Sequence, residues 1–409
     1  MNCLPLKASF KRIMEKLLEN HYQMITDTPD NFVRNFIRKV HWDERLIGIK
    51  GAKGVGKTTL VLQYIKSQLQ NEKVIYLPLD NPYFYSNKLT KTVEFFIKTG
   101  YTHFFLDEVH KYPHWSAEIK NLHDTYRKIK IVFTGSSVLH LIEGAADLSR
   151  RAMIYDLPGL SFREYLEFRT EISFPSFSLE EILQNHLQIA QEIIQKIRPF
   201  EFFNHYLEQG YYPFFIEAEK TFKFRLEAAI NQTLESDLPL TKKITPDIVI
   251  KLKKILGVIA QSAPFKPNIQ KISERVEITR NSLVVYIRYL EDAGIIRQLY
   301  SEVSGIGSLQ KPQKIYLENS NLIYSLSPGT AQVGTVRETF AANQLSKSKT
   351  ITYPKTGDFL VNEKYLFEVG GKNKTKKQIA GIENSFILAD NTEIGFGNKI
   401  PIWLMGFLY

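Results

Sequence analysis

Cysteine is nearly absent: Cys3 is the single one among 409 residues. One thiol cannot close an intrachain disulfide, build a four-cysteine zinc site or form a CxxC redox pair, and a reducing compartment suits the chain. Long apolar runs are missing too. No stretch of ~18 apolar residues occurs, so no membrane span is expected. Lys7, Lys11 and Arg12 interrupt the N-terminal stretch where a signal peptide would carry its apolar core. The expectation is a cytoplasmic protein with no membrane partner. Gly (22) and Pro (17) are too scarce for a collagen-like or low-complexity chain, and no internal repeat is visible. Acid is in deficit, with 43 Asp+Glu against 53 Lys+Arg, a net charge of +10 and a pI near 9.2. That modest excess favours a polyanionic partner without naming one.

What is present is an ordinary globular composition, 44% hydrophobic, long enough for about two or three domains. After a helical lead-in over residues 1 to about 45, apolar runs alternate with helical stretches. The runs are Arg45–Lys50, Lys73–Leu79, His103–Leu106, Ile129–Phe133 and Ala152–Leu157. Strand–helix alternation predicts an α/β fold with a parallel sheet flanked by helices.

Residues 51–58 read Gly51-Ala52-Lys53-Gly54-Val55-Gly56-Lys57-Thr58, which fits G-x-x-x-x-G-K-[ST] at every specified position. An apolar strand precedes the loop, and an amphipathic helix with Thr59 in its first turn follows. Glycines let successive N–H groups turn inward onto phosphate oxygens, and the helix N-terminus adds partial positive charge. Lys57 can reach the β- and γ-phosphates and the Thr58 hydroxyl can ligate Mg²⁺. This is a P-loop, and it predicts a nucleotide triphosphate with Mg²⁺ as cofactors.

A P-loop needs an acidic partner, and His103–Leu106 ends in Asp107-Glu108. Asp107 is expected to hold the metal and Glu108 to act as general base on water. Thr134 or Ser136, after the next strand, is a candidate sensor of the γ-phosphate if the acidic strand lies between that strand and the P-loop strand. Arg150 and Arg151, ahead of the fifth strand, could supply a guanidinium in cis or from a neighbouring subunit. No N-K-x-D guanine-reading motif follows: Asn373–Lys376 and Asn398–Pro401 lack the Asp, which argues for ATP.

The strings IGIKGAKGVGKTTLVLQ, FFLDEVHKYPHW, IVFTGSS and LSRRAMIYDLPGLSFREYL together resemble the bacterial and archaeal AAA-type ATPases of the STAND-related branch. Those proteins carry a C-terminal domain of unknown function, and the similarity runs over nearly the whole chain. In that family the last string reads small-Gly-Arg; Arg151 matches the Arg, while Arg150 replaces the Gly. The resemblance implies a nucleotide-binding core and a tendency to oligomerise.

Further along, Ile269–Val276 and Arg280–Ala293 read as two helices around Glu277-Ile278-Thr279, with Thr279 or Asn281 as cap and Gly294 as stop. A strand pair, Ile295–Tyr300 and Lys314–Leu317, follows around the Gly305/Gly307 loop. Helix, turn, helix and ribbon is the winged-helix pattern, and the same ATPases are similar here. Residues 240–315 hold 13 Lys/Arg against 6 Asp/Glu. Such a footprint could contact DNA phosphates, with Arg280, Asn281 and Ser282 facing bases; a packing module is the alternative.

In the last segment Glu338, Asp358 and Glu368 resemble the acidic set of the PD-(D/E)-x-K nuclease core. Gly370 stands where that core has its lysine, and Lys372 is the nearest lysine after the Glu. The expectation is a mixed α+β, nuclease-like domain used for binding. The apolar tail Ile400–Tyr409 is expected to be buried as a final strand.

The predicted division is therefore an ATPase core over 1–170, a helical lid over 171–240, a winged helix over 241–328 and the nuclease-like domain over 329–409. The expected activity is an Mg²⁺-dependent ATPase coupled to those modules, with DNA, a protein or a second copy as partner. A nucleotide-gated switch with little turnover and an ATP-gated nuclease are the alternatives.

Overall fold

The computed structural model describes residues 4–137, 148, 150–241, 244–262, 269–301, 312–327, 329, 331–347 and 349–409. The chain divides into two compact units. Unit 1 takes residues 1–157 together with Ser236–Lys243, and unit 2 takes Pro158–Glu235 and Ile244–Tyr409.

Unit 1 is built on five parallel strands, β1 (Leu46–Lys50), β2 (Val74–Pro78), β3 (His103–Asp107), β4 (Lys130–Gly135) and β5 (Met153–Asp156), in the order β2-β3-β4-β1-β5. The five expected strands all form. The order differs from the one assumed for the sensor: β4 lies between the P-loop strand and the acidic strand, so the polar end of β4 is central. The inner strands are apolar at nearly every position because helices cover both faces. Helices α1 (Leu4–Asp27), α2 (Lys57–Gln68), α3 (Leu89–Lys98) and α4 (Trp115–Thr125) provide that cover. Ile75, Phe104, Ile131 and Phe133 of the sheet pack with Met14 and Leu17 of α1, Phe96 of α3 and Trp115 and Ile119 of α4. Each such side chain stabilises the fold by about 1.5–3 kcal/mol on burial. All strand C-termini point to one edge, where the P-loop, the acidic pair and the end of β4 converge.

Unit 2 opens with α5 (Phe162–Thr170) and α6 (Leu179–Ile194). Each begins with a capping box, Ser161 with Glu164 and Ser178 with Glu181. After α7 (Phe222–Gln232) come α8 (Pro246–Ser262), α9 (Ile269–Val276) and α10 (Arg280–Asp292), then the antiparallel ribbon β6 (Ile296–Leu299) and β7 (Lys314–Leu317). Of the two expected caps it is Thr279 that serves, accepting the Ser282 N–H at 3.1 Å. The Gly305/Gly307 loop, with Lys242, Lys243, Lys266, Glu302 and Lys311, lies outside the described residues.

Helices α11 (Ser320–Leu326) and α12 (Val333–Ser346) lead into a mixed sheet. Its strands β8 (Ile351–Thr352), β9 (Phe359–Val361), β10 (Tyr365–Gly370), β11 (Ser385–Ala389) and β12 (Lys399–Pro401) lie in sequence order across the sheet. The hairpin β9/β10 is antiparallel, while β10, β11 and β12 run parallel. The tail is buried throughout, with Trp403 wholly enclosed. It is a 3₁₀ turn over Ile402–Phe407 rather than the expected strand. Its anchor is the Tyr409 carbonyl, which accepts from Ser161 Oγ at 2.9 Å and from the buried Arg163 Nε at 3.0 Å. Among the described residues no helix is long and apolar enough to cross a membrane.

Candidate functional site

The loop after β1 has the backbone its glycines predict. Gly54 and Gly56 take positive φ, 86° and 93°, and Gly56 is the N-cap of α2. A Cβ on Gly51 would stand 2.5 Å from the Leu157 carbonyl oxygen, so only glycine fits there. The Lys57 ammonium is buried and folded back on its own loop, donating to the carbonyls of Gly51 at 3.0 Å and Ala52 at 3.2 Å. Val55 is buried, and its carbonyl is fastened by the guanidinium of the buried Arg34 at 3.1 Å. Three more contacts tie the segment before β1 to α2. Gln63 Nε2 donates to the carbonyls of Pro29 and Phe32, both at 2.8 Å, and Trp42 stacks on Tyr64 with ring centroids 3.7 Å apart.

Asp107 ends β3 almost fully buried and is the hub of the site. Thr58 Oγ1 donates to its Oδ2 at 2.7 Å, Tyr76 OH donates to the same oxygen at 2.6 Å, and Thr134 Oγ1 donates to Oδ1. Strand order explains the convergence. The P-loop helix follows β1, Thr134 rides on β4 beside it, and Tyr76 comes from β2 on the other side of β3. Burial, then the neighbouring Asp107 carboxylate, push the Tyr76 hydroxyl far above its usual pKa, so it stays a donor. Thr58 and Asp107, each expected to hold the metal, are thus hydrogen-bonded to one another.

Glu108 follows in the left-handed backbone region, φ 52°, with its N–H on Thr134 Oγ1 at 3.2 Å. Its carboxylate faces His110, Oε2 to Nε2 3.5 Å. His110 Nδ1 accepts the backbone N–H of the buried Ser136 at 3.4 Å. Behind His110 stands Asp237, ion-paired to Lys111. Burial raises the Asp237 pKa, but the Lys111 ammonium bound to it and the His110 ring facing it at 3.5 Å outweigh burial and hold the carboxyl at about 2.

Arg151 is not brought to the P-loop of its own chain. Parallel register pairs Ile47 with Met153, so Arg151 stands level with Arg45, about 17 Å down the sheet from Lys50 at ~3.3 Å per residue. Its Nε donates to Asp124 Oδ1 at 3.0 Å. Of the two expected routes, in cis or from a neighbouring subunit, this position puts Arg151 away from the P-loop of its own chain. Arg150 is exposed.

In unit 2 the three acids do meet, at a cleft of about 430 Å³ lined also by Lys355, Thr356 and Gln378. The lysine that joins them is not Lys372, whose carbonyl instead accepts from Lys399. Lys314 Nζ bridges Glu338 Oε2 at 2.9 Å and Asp358 Oδ1 at 3.1 Å, and Lys374 Nζ pairs with Glu368 Oε1 at 2.5 Å. Burial raises the Glu368 pKa, against the pull of Lys374. Among the described residues no group of three or more His, Cys, Asp or Glu side chains has a metal-holding arrangement.

With this geometry in hand the comparisons fall into place by region. Residues 43–166 match the AAA domain family. Unit 1 has an AAA-type P-loop ATPase fold. Residues 200–333 match a domain of unknown function, DUF8612. Over 95% of this chain and 88% of its own length, an uncharacterized protein of Methanocaldococcus jannaschii, MJ1637, is 26% identical. AMPPCP-bound DnaA from Aquifex aeolicus aligns with 63% of this chain and 84% of its own, at 14% identity and a TM-score of 0.25, too distant to bear on this protein. The AAA match carries a general expectation of nucleotide binding for unit 1 and fits an ATP-hydrolysing family; it assigns no residue.

Four residues escaped the sequence reading: Arg34, Tyr76, His110 and Asp237. Tyr76 left a usable signal, since a tyrosine inside an otherwise apolar buried strand needs a partner for its hydroxyl. Asp237 left none, because the contact spans more than a hundred residues.

Proposed function

We propose that this chain binds MgATP at Gly51–Thr58 and hydrolyses it in the cytoplasm, and that the nucleotide state is read out by the modules of unit 2. The observation that carries this is the cluster on Asp107: a P-loop hydroxyl, a β4 hydroxyl and a buried tyrosine converge on one carboxylate beside a lysine parked on loop carbonyls. The residues fit the group. Thr58 Oγ1 and Asp107 supply the hard oxygen ligands Mg²⁺ takes, and Lys57 holds weak carbonyl partners that phosphate oxygens can replace. The N–H groups of Ala52, Lys53, Gly54, Val55, Gly56, Lys57, Thr58 and Thr59 cradle the phosphates. Bound there, Mg²⁺ neutralises charge on the β- and γ-phosphate oxygens. Glu108 orients water and takes its proton. Thr134 is committed to Asp107, which leaves Ser136 as the γ-phosphate sensor. Arg151 serves as a finger toward a second copy of the chain, so turnover depends on assembly.

Equilibrium binding of ATP with Mg²⁺ and steady-state turnover test this. Binding that is lost in Lys57→Ala, with turnover lost and binding kept in Glu108→Gln, supports the reading. A wild-type chain with no affinity for any adenine nucleotide overturns it, and full turnover in Glu108→Gln removes Glu108 as the base.

For the rest of the chain we propose the finer division into a helical lid over 171–240, whose end Ser236–Lys243 folds with unit 1, a winged helix over 241–328 and a nuclease-like domain from 329. Exposed Arg280 and Asn281 at the start of α10 support DNA contact. Salt-dependent DNA binding weakened by Arg280→Ala supports that role. The cleft's acids are already matched by Lys314 and Lys374, which favours a binding role over cleavage. Mg²⁺-dependent cutting of DNA or RNA that vanishes in Asp358→Ala would reverse this assignment.

A further inference from the structure

Asp237 comes to the ATPase unit from far along the chain. The stretch Ser236–Lys243 belongs to unit 1, although the residues flanking it in sequence belong to unit 2. Within unit 1, the short helix Leu238–Thr241 packs on the 3₁₀ turn Val109–Lys111, which directly follows the acidic pair. Leu238 is fully enclosed and Asp237 is 1% exposed. Lys111 Nζ donates to Ser236 Oγ at 3.0 Å as well as to Asp237. The segment is therefore docked through both an apolar and an ionic contact.

Between this segment and Glu108 stands His110, whose side chain has no exposure. Its Nδ1 accepts from the Ser136 N–H, which puts the ring proton on Nε2. Nε2 lies 3.5 Å from Glu108 Oε2 and 3.5 Å from Asp237 Oδ1, and closes a hydrogen bond to neither. One N–H faces two carboxylates at equal distance, and a full hydrogen bond to one is lost to the other. A buried donor without a closed bond is destabilising, so the arrangement gains by tipping to either side. Glu108 itself sits at φ 52°, a backbone region disfavoured for a residue with a Cβ, which persists where the surroundings over-determine it.

We propose that His110 is a positioning residue for Glu108, and that Asp237 is the competing acceptor through which the segment Ser236–Thr241 sets where Glu108 stands. With the Nε2–H donated to Glu108, the carboxylate is fixed in one orientation and aligned on water. With the Nε2–H donated to Asp237, Glu108 is released and turnover falls. Lys111 keeps Asp237 charged and seated, so the competitor is always present. A shift of the segment of well under 1 Å would tip the balance, since a hydrogen bond strengthens steeply between 3.5 and 3.0 Å. The unit that binds nucleotide thus has a control point in chain that leaves for unit 2 on both sides. This inference rests on the ATPase reading above.

The test compares wild type, Glu108→Gln, His110→Ala, His110→Gln and Asp237→Asn for ATP affinity, KM and kcat. His110→Ala is expected to lower kcat about tenfold or more with KM and ATP affinity unchanged. His110→Gln, which keeps an N–H near the Nε2 position, is expected to restore kcat to within about threefold of wild type. Asp237→Asn, which weakens the competing acceptor but leaves Lys111 a partner, is expected to raise kcat about threefold, and to have no effect in the His110→Ala background. A destabilised fold would move ATP affinity and would not be rescued by glutamine. Wild-type kcat in His110→Ala overturns the inference alone, as does an Asp237→Asn effect that persists without His110. No turnover in wild type above the Glu108→Gln background overturns the ATPase reading and this inference with it.

Discussion

The P-loop site and the acid cleft hold the same ingredients, lysines beside carboxylates, in opposite states. At the P-loop, Lys57 rests on two backbone carbonyls and Asp107 is satisfied by three hydroxyls, so neither charge is yet neutralised by the other. In the cleft, Lys314 and Lys374 are already bound to Glu338, Asp358 and Glu368. Neutral partners exchange for a charged ligand at little cost, whereas a buried ion pair gives up its partner at several kcal/mol. The P-loop lysine rests on neutral partners that a charged group can displace, whereas the cleft lysines hold charged partners of their own.

The sharpest way to break that contrast is to remove each lysine. Lys57→Ala should weaken MgATP binding by about 100-fold or more, measured by titration calorimetry, since it deletes the charge aimed at the β- and γ-phosphates. It should leave thermal stability nearly unchanged, because its present partners are carbonyls. Lys314→Met should do the reverse. ATP affinity stays at the wild-type value, while urea denaturation shows a loss of about 3–5 kcal/mol, the usual cost of stranding a buried charge. A stable Lys314→Met protein would mean that the acids in the cleft carry no net cost, and the comparison above would fail.

How much of each site was legible in the sequence follows from how local its chemistry is. The P-loop is eight consecutive residues between a strand and a helix, so Gly51, Gly56, Lys57 and Thr58 could be placed before any fold was known. Asp107 followed because an apolar strand ending in acid has few other uses near a P-loop. The strand order was not legible, because hydrophobic runs predict strands and leave their neighbours unspecified; Thr134 therefore found Asp107 by a route different from the one assumed. In the cleft, Glu338, Asp358 and Glu368 were recognisable by type and spacing. The lysine that completes them was not, since Lys314 sits on β7, 24 residues before Glu338, and a search along β10 could only reach Lys372. Arg151 shows the limit of motif reading: its type and neighbourhood matched, and only register revealed that it stands at the far end of the sheet.

A smaller effect sharpens the P-loop side. Tyr76→Phe removes one of three donors to Asp107 while keeping the ring that fills the core. The expected cost is about 1–2 kcal/mol in holding the carboxylate. It should appear as a severalfold higher Mg²⁺ requirement for turnover, with ATP affinity measured without metal unchanged. An unaltered Mg²⁺ dependence would make Tyr76 a packing residue only.

The smallest test sets one carboxylate of each site against pH, because their pKa values move in opposite directions. Asp237 is held at about 2 in the folded protein, below the ordinary 3.8. Its folded-state stabilisation is fully present above about pH 4 and is lost as pH falls toward 2; the difference corresponds to about 2 kcal/mol. Glu368 is raised above 4.5 by burial. The folded state then binds its proton more readily than the unfolded chain does, so its contribution favours folding below pH 4.5 and is lost as pH rises through its folded value. Urea denaturation from pH 3 to pH 7 should therefore show Asp237→Asn losing less stability than wild type on the acid side. Glu368→Gln should lose less than wild type on the neutral side, and its half-buried partner Lys374 can turn to water. If both variants shift the profile in the same direction, the two carboxylates do not sit in the contrasting environments that distinguish the P-loop site from the cleft.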